Sequence, residues 1–188
     1  MKVVGISGSI VGSKTKTAMK YLEKKLITNY PEVAWELIDL ADYTIQFSDG
    51  RNYLDYEDDT GYVVKMIMEA DAIIIGTPVF QASIPATLKN IFDLLPVNAF
   101  QDKVVSMLIT AGTSKHYLIA EQQLKPIISY MKAQIVQNYV FIEEKDFLRK
   151  EIINDDILFR LTNLIEDTIL LTKTYKKIVQ EKEDQYDF

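Results

Sequence analysis

Five runs dominated by apolar, mostly β-branched residues recur along the chain, at residues 3–7, 33–40, 72–77, 104–110 and 135–142. Apolar runs without strict alternation are the pattern of strands buried on both faces. Between them the spacing of apolar positions changes to that of a helix. Ala18, Met19, Leu22 and Leu26 fall on one side of the segment after the first run. A second amphipathic segment starts near Pro85. A longer one carries Leu118, Ala120, Leu124, Ile127, Ile128, Met131 and Ala133. Strand and helix patterns in alternation predict an α/β fold, a parallel sheet with helices on both of its faces.

No internal repeat and no Pro/Gly/Ser-rich linker interrupts this rhythm, so one domain over residues 1–188 is expected. Two stretches depart from it. Residues 41–61 form a long polar connection rich in Asp and Tyr, and connections of that length are often lids or partner surfaces. Tyr53, Tyr56 and Tyr62 cluster in and beside it, which fits packing, a dimer surface or a solvated loop. The charged tail 180–188 is expected to fray.

The chemistry lies where the apolar runs end. The run at 72–77 stops in a Gly-Thr-Pro stretch and continues as Pro78-Val79-Phe80-Gln81-Ala82-Ser83. In open parallel sheets, ligands sit outside the carboxyl ends of strands, where such loops project. The first run passes into Gly8-Ser9 and then a hydroxyl-rich stretch holding Ser13, Lys14, Thr15, Lys16 and Thr17. A loop feeding a helix start offers free N–H groups and a positive dipole end to a phosphate. Neither G-x-G-x-x-G nor G-x-x-x-x-G-K-[ST] occurs, so the dinucleotide fingerprint and the P-loop are both missing. What remains is a Ser/Thr-rich mononucleotide phosphate loop, or a plain helix cap by Ser13 or Thr15. A third run ends in Thr110-Ala111-Gly112-Thr113-Ser114-Lys115-His116. Three such loops converge on one edge of a right-handed sheet, one suited to a phosphate and two to a flat polar ring.

These stretches resemble the NADPH-dependent FMN reductase family, a branch of the flavodoxin-like flavoproteins. The resemblance rests on Gly8-Ser9 with its hydroxyl-rich loop, on 77–80 with 85–93, on 110–116 and on 120–126, and spans about residues 2–165. Val11 stands where the family often has Arg, and Phe80-Gln81 where it often has Tyr-Asn or Tyr-His. The resemblance implies a flavodoxin-like three-layer sandwich with strand order 2-1-3-4-5. It also implies FMN as cofactor and NADPH or NADH as electron donor. Electrons would pass to free flavin, a quinone or a similar acceptor. The phosphate would lie at Ser9, Ser13, Lys14, Thr15, Lys16 and Thr17. The ring would lie between the loop Pro78, Val79, Phe80, Gln81, Ala82, Ser83 and the loop Thr110, Ala111, Gly112, Thr113, His116. A flavodoxin-type electron carrier acting on protein partners shares the fold and is the alternative. Steady-state oxidation of the nicotinamide separates the two.

Composition narrows the remaining classes. With 188 residues and 48% hydrophobic content, one core needs no disulfide or metal. Zero cysteines exclude thiol nucleophiles and thiolate-held clusters, and fit a cytoplasmic protein. No apolar run nears the roughly 20 residues of a membrane span, and the chain enters a strand at once, so no signal peptide is expected. A net charge of −6 argues against nucleic-acid partners. His116 is the only histidine, without the partners a metal site needs, and reads as a local hydrogen-bonding group. In such a protein the flavin carries the chemistry, so no catalytic acid, base or metal is sought. Finally, Leu94, Leu95, Val97 and Phe100 are expected to form an exposed apolar patch. Such a patch is a partner surface or a segment folded back onto its own sheet, and the resemblance implies a homodimer or homotetramer, with the flavin near the subunit boundary.

Overall fold

The computed structural model describes residues 1–185. Its centre is a parallel sheet of β1 (Lys2–Ser7), β2 (Ala34–Asp39), β3 (Ala72–Pro78), β4 (Val104–Ala111), β5 (Gln134–Ile135) and β6 (Val140–Glu143). The order is β2-β1-β3-β4-β5, with β6 also paired to β4. Helices α1 (Lys14–Asn29) and α5 (Asp155–Asp184) cover one face. The other face carries α2 (Asp58–Glu69), α3 (Ala86–Leu94) and α4 (Lys125–Tyr130).

Side chains alternate between the two cores along each strand, as the pleat demands. Val3, Ala72, Ile74, Val104 and Leu108 face α1 and α5, whereas Val4, Ile73, Ile75, Val105 and Met107 face the other layer. β3 and β4 are buried almost end to end, which is why their sequences read as continuous apolar runs. β2 is an edge strand and only half-buried. At Gly76, an added Cβ would lie 2.7 Å from Met19 Sδ and 3.2 Å from the Thr15 methyl. The missing side chain lets α1 lie against the strand ends, which fixes where its first turn points.

Several expectations need correction. The fifth run does not form one strand. It divides into β5 and β6, both paired to β4, with residues 136–139 looping out between them. The helix expected across 118–133 opens with a wide π-helical turn, Ala120–Leu124, before α4. Pro126 has no N–H to give to Gln122, and the Lys125 N–H donates to Ala120 O instead. The tail is helical as far as Asp184, at the end of α5; its last residues, 186–188, lie outside the described residues. The apolar patch is the largest departure. Leu94, Leu95 and Phe100 are buried, Phe100 completely, beneath α3 and the turn before β4; Val97 alone is exposed.

The 41–61 connection is tied down rather than loose. Asn90 accepts from Ser48 N and donates to Gln46 O, both at 2.9 Å. Thr60 Oγ1 and Asp59 take the Gln46 and Thr44 amides. Tyr56 is buried, with Arg51 stacked on its ring. Phe47 remains 80% exposed at the outside of this loop.

Candidate functional site

The pairing register aligns the strand ends. Ser7 is level with Gly76, Pro78 with Thr110, and Ala111 with Glu143. The loops after β1, β3, β4 and β6 therefore open on one edge and enclose a cavity of about 410 Å³. Val11, Gly12, Ser13, Lys14 and Thr15 line one side, Pro78, Val79 and Phe80 a second, and Thr110, Ala111, Gly112 and Glu144 a third. The volume suits a small ligand. Another cavity, of about 460 Å³, lies between residues 117–121, 137–140 and α5, beside the gap in the fifth strand. It shares no lining residue with the first.

The first loop is shaped by its own hydroxyls. Ser9 Oγ donates to Val11 O at 2.7 Å and accepts from Val11 N at 3.2 Å, which closes a tight turn. Gly8 N donates to Gly76 O at 2.8 Å and fastens the loop to β3. Gly12 has φ +84°, a left-handed conformation that glycine adopts without strain, and it turns the chain into α1. Ser13 then makes no side-chain capping bond, and no acid stands in the first turn. The amides of Lys14, Thr15 and Lys16 lack intrahelical acceptors for geometric reasons. Plain capping by Ser13 is thus ruled out, and an uncapped helix start faces the cavity. Beneath it, the Thr15 and Thr110 hydroxyls are 2.7 Å apart and buried, which joins α1 to the end of β4.

Two lysines that look equivalent in the sequence part company. Lys14 Nζ lies 2.6 Å from Glu144 Oε1 at the cavity wall. Lys16 turns away to the end of β2, where its Nζ is 2.5 Å from the buried Asp39 Oδ2. That oxygen has no other partner among the described residues. The hydrogen bond to Asp39 is the main cause that raises the Lys16 pKa above its ordinary value. Thr17 is half-buried further along the first turn of α1.

The second loop is a tight hairpin. Phe80 and Ser83 exchange both backbone hydrogen bonds at 2.9 Å, and Gln81 and Ala82 both have positive φ. That is the sign pattern of a type I′ turn, and it holds Phe80 at the cavity rim, 40% exposed. Ser83 Oγ donates to Gln123 Oε1 at 3.3 Å. The third loop brings Ala111 and Gly112 to the wall; Val79 N donates to Thr110 O at 3.0 Å and joins the two loops. Thr113 precedes the next turn, Ser114–His116, His116 ends it, and neither lines the cavity. Nor do Ser9, Lys16, Thr17, Gln81, Ala82 and Ser83.

Val11, Gly12 and Glu144 line the cavity without having been sequence candidates, and Glu144 is the charged one. Its signal was the strand-end rule itself, since the charged stretch Glu143-Glu144-Lys145-Asp146 follows the last apolar run as the other loops follow theirs. No cluster of three ligating side chains occurs among the described residues.

Known proteins resemble this chain throughout. An NAD(P)H-dependent FAD/FMN reductase of Geobacillus thermodenitrificans is 38% identical over 170 residues, 90% of this chain and 92% of that one. The crystal structure of an NADH:FMN oxidoreductase in its apo form superposes with a TM-score of 0.74 at 26% identity, covering 90% and 88% of the two chains. A flavodoxin from the domain Archaea shares the fold, with a TM-score of 0.62 at 18% identity over 92% of this chain and 99% of that one. The family profile described as NADPH-dependent FMN reductase matches residues 1–147, and the chain belongs to this family of flavin-linked oxidoreductases.

Proposed function

We propose that the strand-end cavity holds FMN, that NADPH or NADH reduces it, and that electrons pass on to free flavin, a quinone or a similar small acceptor. The observation that carries this reading is the uncapped start of α1, whose free amides meet Lys14 and Ser13 at the cavity wall. Backbone donors at a helix N-terminus with an adjacent cation fit a phosphomonoester. Pro78, Val79 and Phe80 on one side, and Thr110, Ala111 and Gly112 on the other, fit a flat ring between them. Bound FMN would supply hydride acceptance and electron release.

The chain's own part is to orient and expose. The Thr15–Thr110 bond sets the phosphate loop against β4, so phosphate and ring sites are held in one frame. Gly112 leaves the main chain open to close approach by the flavin edge. Lys115, in the loop after β4, makes no ion pair among the described residues, whereas Arg51 is occupied by Asp49. Lys14, a third candidate, is paired with Glu144, which leaves Lys115 as the cation to meet a 2′-phosphate. The reading further takes the chain as one domain, a homodimer, working in the cytoplasm where reduced nicotinamides are available. Among the described residues, no helix is long and apolar enough to cross a membrane.

The test is an absorbance scan of purified protein with FMN, followed by NADPH and NADH titration. The expected outcome is a perturbed flavin spectrum and bleaching by nicotinamide, with turnover once free flavin or a quinone is added. Binding without steady-state turnover would point to the electron carrier instead, and a protein that never perturbs the flavin spectrum would sink the reading.

A further inference from the structure

The wall of the cavity contains one acid, and it stands against the feature that attracts an anion. Glu144 follows β6 directly, and its Oε1 is 2.6 Å from Nζ of Lys14, the first residue of α1. Its other oxygen would lie 3.9 Å from a Cβ built on Gly112, so the carboxylate reaches the third loop as well. Lys14 and Glu144 are 130 residues apart in the chain and come from different loops of the cavity wall. The pair therefore spans the space between the helix start and the loop after β4.

A phosphomonoester carries between one and two negative charges at neutral pH. To approach the amides of α1 it must meet Lys14, and the Lys14 ammonium already has an anionic partner. The geometry points to Glu144 as the residue that sets affinity for the phosphate end of the ligand. It competes for Lys14 and repels the incoming charge. This inference rests on the FMN reading of the cavity and adds to it a carboxylate that opposes retention of the phosphate. Both side chains are substantially exposed, at 39% and 65%, so solvent screens the effect. Exposed pairs of this kind shift an equilibrium by about two- to fivefold. With the direct repulsion included, the whole penalty is roughly three- to tenfold in FMN affinity. A flavin held against such opposition exchanges more readily than one in a purely basic cradle.

Fluorescence-quenching titrations of FMN and of riboflavin, against the parent protein and Glu144→Gln, test this. Riboflavin shares the ring and lacks the phosphate, so it reports on ring contacts and on the integrity of the fold. Glu144→Gln is expected to tighten FMN by about three- to tenfold and to change riboflavin by less than about twofold. A second variant, Glu144→Asp, shortens the reach to Lys14 and should fall between the two. FMN affinity unchanged or weakened in Glu144→Gln, with riboflavin as in the parent, overturns the inference while leaving the FMN site standing. Equal tightening of both flavins overturns it too, since the carboxylate would then act on the ring. Failure of parent and variant alike to bind FMN overturns the reading of the cavity and this inference together.

Discussion

Lys14 and Lys16 differ by two positions, and on a helix that is enough to give them unrelated roles. Lys14 faces the cavity, and Lys16 neutralises a carboxylate that is 4% exposed. Lys14→Met should weaken FMN by about tenfold or more, the loss of one charge-assisted hydrogen bond, and should leave riboflavin affinity and melting temperature unchanged. Lys16→Met should do the opposite. It strands Asp39 without a counter-ion, and the expected loss is about 1–3 kcal/mol of stability with little change in FMN affinity. Lys16 has its pKa raised in the folded state, so its stabilisation is fully present below its ordinary value of 10.5. It disappears only as pH climbs through the raised value, which leaves neutral-pH stability curves flat with respect to this group. Thermal melts and flavin titrations on both variants read this directly, and equal losses of affinity would refute the division. The sequence offers both lysines as candidates and contains nothing to separate them, because Asp39 and Glu144 reach them only through the fold. The Thr15–Thr110 pair is equally invisible, being a contact across 95 residues.

At the scale of elements, what the sequence reveals depends on how fully an element is buried. β1, β3 and β4 carry mostly apolar runs, since both of their faces are covered. The fifth position is an edge with polar Gln134, Gln137 and Asn138 among its apolar residues, and the pattern alone does not locate the break at 136–139. The turn at 80–83 is harder still. Positive φ at both central positions usually means Asn or Gly, and here Gln81 and Ala82 occupy them, with φ 48° and 57°. A non-glycine residue in this region is strained by about 1–2 kcal/mol. Ala82→Gly should relieve that strain, offset in part by the greater freedom of glycine in the unfolded chain. A net gain of about 0.5–1 kcal/mol is expected, seen as a rise of about 1–4 °C in the melting temperature. Ala82→Val, β-branched at the same φ, should lower it. A fall in melting temperature for the glycine variant would mean that the turn relaxes out of this conformation.

For the molecule as a whole, the arrangement of strand-end loops was legible because the topology of a parallel sheet dictates it, and the subunit contact was not. An apolar cluster in the sequence does not say whether it packs inward or outward. Leu94 and Phe100 pack inward and offer no dimer surface, while Leu95 shows only an edge at the surface. For the subunit contact we propose the groove beside them. Val97 and Tyr130, exposed at 53% and 73%, border a groove of about 560 Å³ floored by Phe92, Leu95, Ile127 and Met131. Gln134, just beyond α4, is level with Val104, the first residue of β4, so this groove lies near the amino end of the sheet. The cofactor loops open at the carboxyl end. A contact here would leave the flavin away from the subunit boundary, contrary to the placement expected from the sequence. Apolar surface of this kind usually marks a partner site, and a two-fold contact lets each copy cover the other. Light scattering at micromolar concentration should give a mass of about twice the 21.6 kDa chain. Tyr130→Glu should return the mass to that of one chain. Because Tyr130 stands mostly in solvent, the substitution should leave the fold and FMN affinity intact. A single-chain mass for the parent protein would refute the homodimer. A doubled mass that survives Tyr130→Glu would move the contact to another face, with the mouth of the cavity, where Ile10 and Val11 are exposed, the next to test.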